Sequence, residues 1–235
     1  MQTISWLSLS WCLIPIIMTM GIYIHWQLNA KELMIACARM FIQLITIGYV
    51  LIFMFSEPSP IFTLAIMTLM ICAASWIAIR PVRQHKGYFK PAIIALAIAV
   101  LLHLFISVQL ILEVQHWYLP KIIVPLAGMY FANTMNTISL ASERFQSNIE
   151  QNMPVNEARK SAFQSAMIPQ INSLLAVGLV SLPGMMTGQI LSDVSPAIAV
   201  RYQVMIMTMM LGSNALGAAI MLWQLERKAR PKSLS

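Results

Sequence analysis

Asn133 and Asn136 lie close together in an apolar stretch. With Met129 and Leu140 they follow a 4-3-4 spacing, which puts all four on one face of a helix. Two carboxamides on one face offer carbonyl oxygens to a passing cation, or hydrogen bonds to neighbouring helices. A second such place is Leu182-Pro183-Gly184-Met185-Met186-Thr187-Gly188. Pro183 lacks a backbone donor and would clash with the Leu179 carbonyl four residues earlier, and Gly184 loosens the chain further. A helix broken inside an apolar run exposes carbonyls, which is tolerated only against protein or a water-lined path. The segment therefore reads as the break beside a transport path or as a packing kink. Arg39 and Gln43 form a third pair, at i and i+4 on one helical face. Arg39 either turns to protein or water, or snorkels to headgroups; Gln43 is too short to snorkel.

Other chemistry is thinner. Nineteen methionines include Met205, Met207, Met209 and Met210. Thioethers suit soft ions such as Cu(I), but these four do not share a helical face, and methionine is a common apolar filler. His103, alone in its run, reads as a hydrogen-bonded core residue, and the metal-ligating residues are left unknown. Cys12, Cys37 and Cys72 lie in three different runs, an odd set without ligand spacing, and read as small buried hydrophobes. No Walker A, His-Glu-x-x-His or Gly-x-Ser-x-Gly pattern occurs, so no catalytic residue and no cofactor site is expected in this chain.

These residues need elements to hold them, and composition says which. Apolar residues make up 59% of 235, charged residues 10%, and mean hydropathy is +0.74. Soluble domains are about 25% charged. A soluble globule, a disordered tail and a nucleic-acid binder are excluded; the +7 charge sits between apolar runs. Seven runs are long enough to span a bilayer, at 4–24, 33–55, 61–79, 91–112, 120–141, 167–191 and 197–224. Uninterrupted apolar runs in lipid must be helices. The expectation is an all-α polytopic transmembrane helical bundle of about seven spans, a single membrane domain over 1–235. The first run is not expected to be a cleaved leader, since Lys31 is the first charge of the chain. Pro15 should kink that run.

Basic residues orient the bundle. Lys31; Arg80, Arg83, Lys86 and Lys90; Arg144, Arg159 and Lys160; and Arg227, Lys228, Arg230 and Lys232 all fall on alternate connections. The other side holds Lys121 and Arg201. Positive-inside then puts the N-terminus outside and the C-terminus in the cytoplasm. Trp6, Trp26, Trp117, Tyr118 and Trp223 fall near span ends, where interfacial aromatics belong.

The 142–166 segment is the sizeable cytoplasmic piece. Glu143, Glu150 and Glu157 balance Arg144, Arg159 and Lys160, while Phe145, Ile149 and Met153 repeat at i+4. Pro154 is expected to end this amphipathic helix. Asn156 is expected to cap the next, with Ala158, Ala162 and Ala166 on one face. Such helices dock a soluble partner, or lie on their own bundle or on lipid.

Four stretches resemble one family. Ala38–Leu51 is similar to the second span of the Fet-type iron-export permeases, and Val124-Pro125-Leu126-Ala127-Gly128-Met129, with Asn133 and Met135, to their fifth. Val177–Leu191 resembles their most distinctive motif, and Arg201-Tyr202-Gln203 the start of their last span. The likeness covers roughly residues 30–225. Plant aluminium-tolerance transporter subunits belong to the same broad group. The resemblance implies a permease subunit of an ABC transporter of the bacterial inner membrane, two copies pairing with a separate ATPase that holds ATP and Mg. Here no glycine occurs between Gly128 and Gly178, where the family carries an Ala- and Gly-containing loop, and Ala132 stands where glycine is usual.

Taken together, the expected activity is export of a metal cation such as iron. Arg39, Gln43, Asn133, Asn136, Pro183, Gly184, Met185 and Met186 are the expected path or gate. Glu143, Arg144, Phe145, Ile149, Glu157 and Arg159 are expected to couple to the ATPase. A membrane sensor or scaffold without transport, and an ATP-independent carrier, are the alternatives.

Overall fold

The computed structural model describes residues 5–85 and 87–229; Lys86, Arg230 and Lys232 fall outside these, as does the Trp6 side chain. The described chain is helical, with no β-strand, and divides between Glu57 and Pro58 into two compact units.

In the first unit, α1 (Trp6–Leu9) passes through a 3-10 turn at Ser10–Cys12 into α2 (Leu13–His25). Pro15 lies in the first turn of α2, directly after that irregular turn, where its missing N–H costs least. α3 (Ala30–Ser56) starts at Asn29, whose side chain accepts from the Glu32 N–H.

The second unit holds the packed core. α4 (Pro60–Ala78) is followed by a 3-10 turn at Arg80–Val82 and by α5 (Phe89–Phe105), which widens into a π-helical stretch at Ile106–Ile111. Buried Ser107, in that stretch, hydrogen-bonds the Tyr130 hydroxyl at 2.7 Å. α6 (Pro120–Glu150), α7 (Val155–Ala176), α8 (Gly184–Leu191) and α9 (Pro196–Ala229) complete it. Small residues let these helices approach: Ala95, Ala99, Ala141, Ala158, Ala162, Ala166 and Ala218 are fully buried.

Five helical stretches are long and apolar enough to cross a membrane: Leu7–His25, Ala30–Ser56, Pro60–Ala78, Phe89–Ile111 and Pro196–Ala229. They fall where five of the seven runs were expected. The other two differ in form. The expected 120–141 span is the first part of α6, which continues without interruption to Glu150 and carries buried Thr134, Thr137, Ser142 and Asn148. The expected 167–191 span is divided between the end of α7 and the short α8.

The α6–α7 turn also departs from expectation. Pro154 does not stop α6. The Met153 N–H bonds the Asn148 carbonyl and the Asn152 N–H bonds that of Ile149, with Asn152 at φ 59°. This is a Schellman stop with asparagine in the left-handed position. Pro154 instead precedes Val155 as the N-cap residue of α7, so Asn156 is helical and not the cap. The 142–166 segment is therefore a hairpin of two long helices, not a pair of short surface helices.

Candidate functional site

The break between α7 and α8 starts earlier than proline alone would place it. α7 ends at Ala176, Gly178 stands at φ +82°, and Gly178 N–H bonds the Ser181 carbonyl at 2.9 Å. The Ala176 carbonyl accepts from the Val180 N–H at 2.8 Å. Since Leu179 is already outside a helix, the expected clash with its carbonyl does not arise. Pro183 instead serves as the N-cap residue of α8, its carbonyl accepting from the Thr187 N–H. Leu179 and Val180 are 90% and 84% exposed, an apolar knuckle suited to lipid.

Gly178 is thus the glycine the break needs. A β-carbon at Gly184 meets nothing within 4 Å, whereas Gly178 holds a backbone angle that L side chains rarely adopt. Gly178→Val is expected to strain the turn by about 1–2 kcal/mol. Membrane insertion should persist while transport falls; normal flux in vesicles would show that the turn's shape is immaterial.

Two clefts flank this break, and they meet at Asn133 and Ser173. One, of about 260 Å³, is lined by Met129, Asn133, Met185, Gln203, Met207 and Met210 together with the 177–184 turn. The other, of about 440 Å³, is lined by Asn133, Asn136, Ser139, Gln170 and Ser173. The second lies toward the α6–α7 turn, along the 4-3-4 face of α6. Polar atoms therefore track along an apolar bundle for at least the length from Asn133 to Leu140, about 10 Å at 1.5 Å per residue.

A hydrogen-bonded chain braces the walls. Asn214 Nδ2 donates to Gln170 Oε1 at 2.6 Å, and Gln170 Nε2 to Thr137 Oγ1 at 3.0 Å. Thr134 Oγ1 lies 3.0 Å from Asn214 Oδ1 and 3.1 Å from Ser213 Oγ. Asn133 Nδ2 donates to the Met129 carbonyl at 2.9 Å and approaches Met210 Sδ at 4.0 Å. This network ties α6, α7 and α9 together. Gln203 does not join it: it is 7% exposed, lines the first cleft, and its Oε1 has no hydrogen-bond partner.

The structure brings Asn133, Asn136, Pro183, Gly184 and Met185 to these two clefts, Asn136 in the second and the last three in the first. Met186 lines a neighbouring apolar cleft. Arg39 and Gln43 lie on the exposed surface of α3, in the first unit. Gln170, Gln203 and Asn214 were missed. For the two on α9 a signal is present in the sequence: Gln203, Met207, Met210 and Asn214 repeat the 4-3-4 spacing of α6. His103 Nδ1 contacts the Ala99 carbonyl at 2.7 Å, a core role. The cysteines are free, but Cys12 and Cys72 are exposed rather than buried, because the outer wall of an apolar bundle accepts a thiol as readily as its core.

At the far end of the second unit, three connections meet. His85 pairs with Glu150 at 3.4 Å, the Tyr88 hydroxyl donates to Gln146, and Lys228 donates to the Gly87 carbonyl. Burial, aided by Glu150, pushes the Tyr88 phenol above its usual range, which keeps it a donor. Arg159 donates to Glu226, which is 3% exposed. The 80–90 connection, the α6–α7 turn and the end of α9 therefore share one end, as the charge pattern required. Glu143, Arg144 and Glu157 are exposed there, Ile149 is half-buried, and Phe145 is buried.

The uncharacterised protein family UPF0014 matches residues 6–159 and 151–229. The chain is 34% identical to the UPF0014 membrane protein slr1647 of Synechocystis, over 82% of both chains. It is 32% identical to the probable iron export permease protein FetB of Escherichia coli, over 84% of this chain and 81% of that protein. It is 27% identical to the protein ALUMINUM SENSITIVE 3 of Arabidopsis thaliana, over 77% and 71%. No solved structure matches the chain. This is a multi-pass membrane protein, and it belongs to the UPF0014 family.

Proposed function

We propose that the chain is the permease subunit of an ABC-type transporter in the bacterial inner membrane, exporting a metal cation. Two copies join a separately encoded ATPase, which holds ATP and Mg. The supporting observation is the pair of polar clefts joined at Asn133 and Ser173 beside a broken helix, in a chain 32% identical to a probable iron export permease. The N-terminus faces outward and the α6–α7 turn faces the cytoplasm. There Glu143, Arg144 and Glu157 present an exposed polar surface to the ATPase, and Phe145 and Ile149 seat the hairpin on the bundle. ATP-driven closure of the ATPase moves the α6–α7 hairpin. Because α7 ends at the 177–183 turn, that movement shifts the turn against α9 and alternates the exposure of the clefts.

Co-expression with the separately encoded ATPase should yield a stable complex. Replacing the Walker lysine of that ATPase should abolish metal export from inverted vesicles. Glu143→Ala combined with Arg144→Ala should uncouple ATP hydrolysis from export while changing unfolding stability by less than about 0.5 kcal/mol, as exposed sites do. Undiminished export in both cases would overturn the reading and leave an ATP-independent carrier; no flux with either ATPase would leave a sensor.

A further inference from the structure

We propose that the cleft at the α7–α8 break binds a soft, monovalent cation of the Cu(I) or Ag(I) class, through thioethers drawn from three helices. The inference rests on the transporter reading only for its role as cargo; the binding site stands on its own geometry. Met129 comes from α6, Met185 from α8, and Met207 and Met210 from adjacent turns of α9, and all four line one cleft of about 260 Å³. Along α9 alone only Met207 and Met210 share a face, and two thioethers do not make a site. The fold gathers the four by crossing three helices.

The donor chemistry selects the ion. Among the described residues, no three His, Cys, Asp or Glu side chains gather to hold a metal ion. The cleft offers four thioethers, the Asn133 and Gln203 carboxamides and the neutral hydroxyls of Ser173 and Ser181, and no carboxylate. Thioethers are neutral, soft ligands that favour Cu(I) over hard divalent ions. The cost of placing an ion in a medium of low dielectric grows with the square of its charge, so an uncharged cleft suits a monovalent ion better than a divalent one. The second, independent observation is Gln203. Its Oε1 is buried without a hydrogen-bond partner, as are Ser142 Oγ, Asn148 Oδ1 and Gln189 Oε1, and of these four Gln203 is the one that lines the cleft. A bound cation would satisfy this oxygen. Asn133, held to the Met129 carbonyl and to Met210, fixes two of the thioether-bearing turns relative to each other.

The experiment uses the purified full-length chain in detergent with Cys12, Cys37 and Cys72 replaced by alanine, because free thiols bind Ag(I) more tightly than thioethers; it is titrated with Ag(I) as nitrate in chloride-free buffer, and with Cu(I) under a reductant. Calorimetry is expected to show one tight Ag(I) site per chain and a matching rise in unfolding temperature. Combining Met207→Leu with Met210→Leu should weaken that site by about 10-fold or more, the scale on which even outer-shell changes act. Gln203→Leu should weaken it too while leaving the metal-free protein folded. Met209→Leu, outside the cleft, should leave it unchanged. Ag(I) affinity that survives the loss of Met129, Met207 and Met210 together would overturn the site. Fe(II) or Mn(II) bound as tightly as Ag(I) would also overturn it, even with ATPase-driven export of that ion intact. Conversely, a methionine-dependent Ag(I) site in a chain that exports no metal upholds the site and removes the transporter reading.

Discussion

Gly217→Val is expected to cost about 3 kcal/mol of stability, the upper end of overpacking in a filled core. Gly217 is fully enclosed on α9. A β-carbon there would stand 2.5 Å from Thr134 Cγ2, 3.3 Å from Ile138 Cδ1 and 3.5 Å from Ala99 Cβ. Two of these belong to α6 and one to α5, so no single helix can retreat to make room. Thr134 cannot simply turn away either, because its hydroxyl meets Asn214 Oδ1 and Ser213 Oγ. Rotating it would unseat the network that spaces α6 from α9. Thermal unfolding in detergent measures the effect, with Gly188→Val as the companion, since a β-carbon at Gly188 meets nothing within 4 Å. Equal unfolding temperatures for the two variants would show that α6 and α9 are not packed as described.

Arg159→Met should cost about 2–3 kcal/mol, less than the 3–5 typical of a fully buried pair. The discount reflects geometry: the Arg159 side chain is 38% exposed, while that of Glu226 is 4% exposed. Removing the guanidinium leaves a carboxylate in a poorly solvated pocket without its arginine. Removing both charges, by Arg159→Met with Glu226→Met, should recover most of the loss, because an apolar pair of similar volume tolerates the site. A double-mutant cycle on unfolding stability measures this coupling. The same pair of variants separates two roles for Arg159. If it is a brace between α7 and α9, the double variant should restore ATPase coupling along with stability. If stability returns while coupling stays lost, Arg159 contacts the partner directly, as the sequence pattern had it.

Much of the architecture was legible because lipid imposes a simple rule. A long apolar run must form a helix, so α2, α3, α4, α5 and α9 stood where the runs stood. The charge pattern likewise grouped the 80–90 connection, the α6–α7 turn and the tail of α9 at one end. Where polar residues interrupt the apolar pattern, legibility fell. α6 carries polar atoms inward, so its expected span runs on without interruption into the helix that follows it. The α7–α8 break was expected at Pro183 but starts at Val177, because Gly178 and the carbonyl of Ala176 close a turn that proline alone does not dictate.

Helical periodicity determined which side chains share a face: Met129, Asn133 and Asn136 on one helix, Gln203, Met207 and Met210 on another. It could not determine which face meets which. The cleft at Gln203, the Asn214–Gln170–Thr137 chain and the Arg159–Glu226 pair each join residues from 33 to 67 positions apart or more. Those meetings depend on where small residues let two helices approach closely, and that choice is made only when all the helices pack at once.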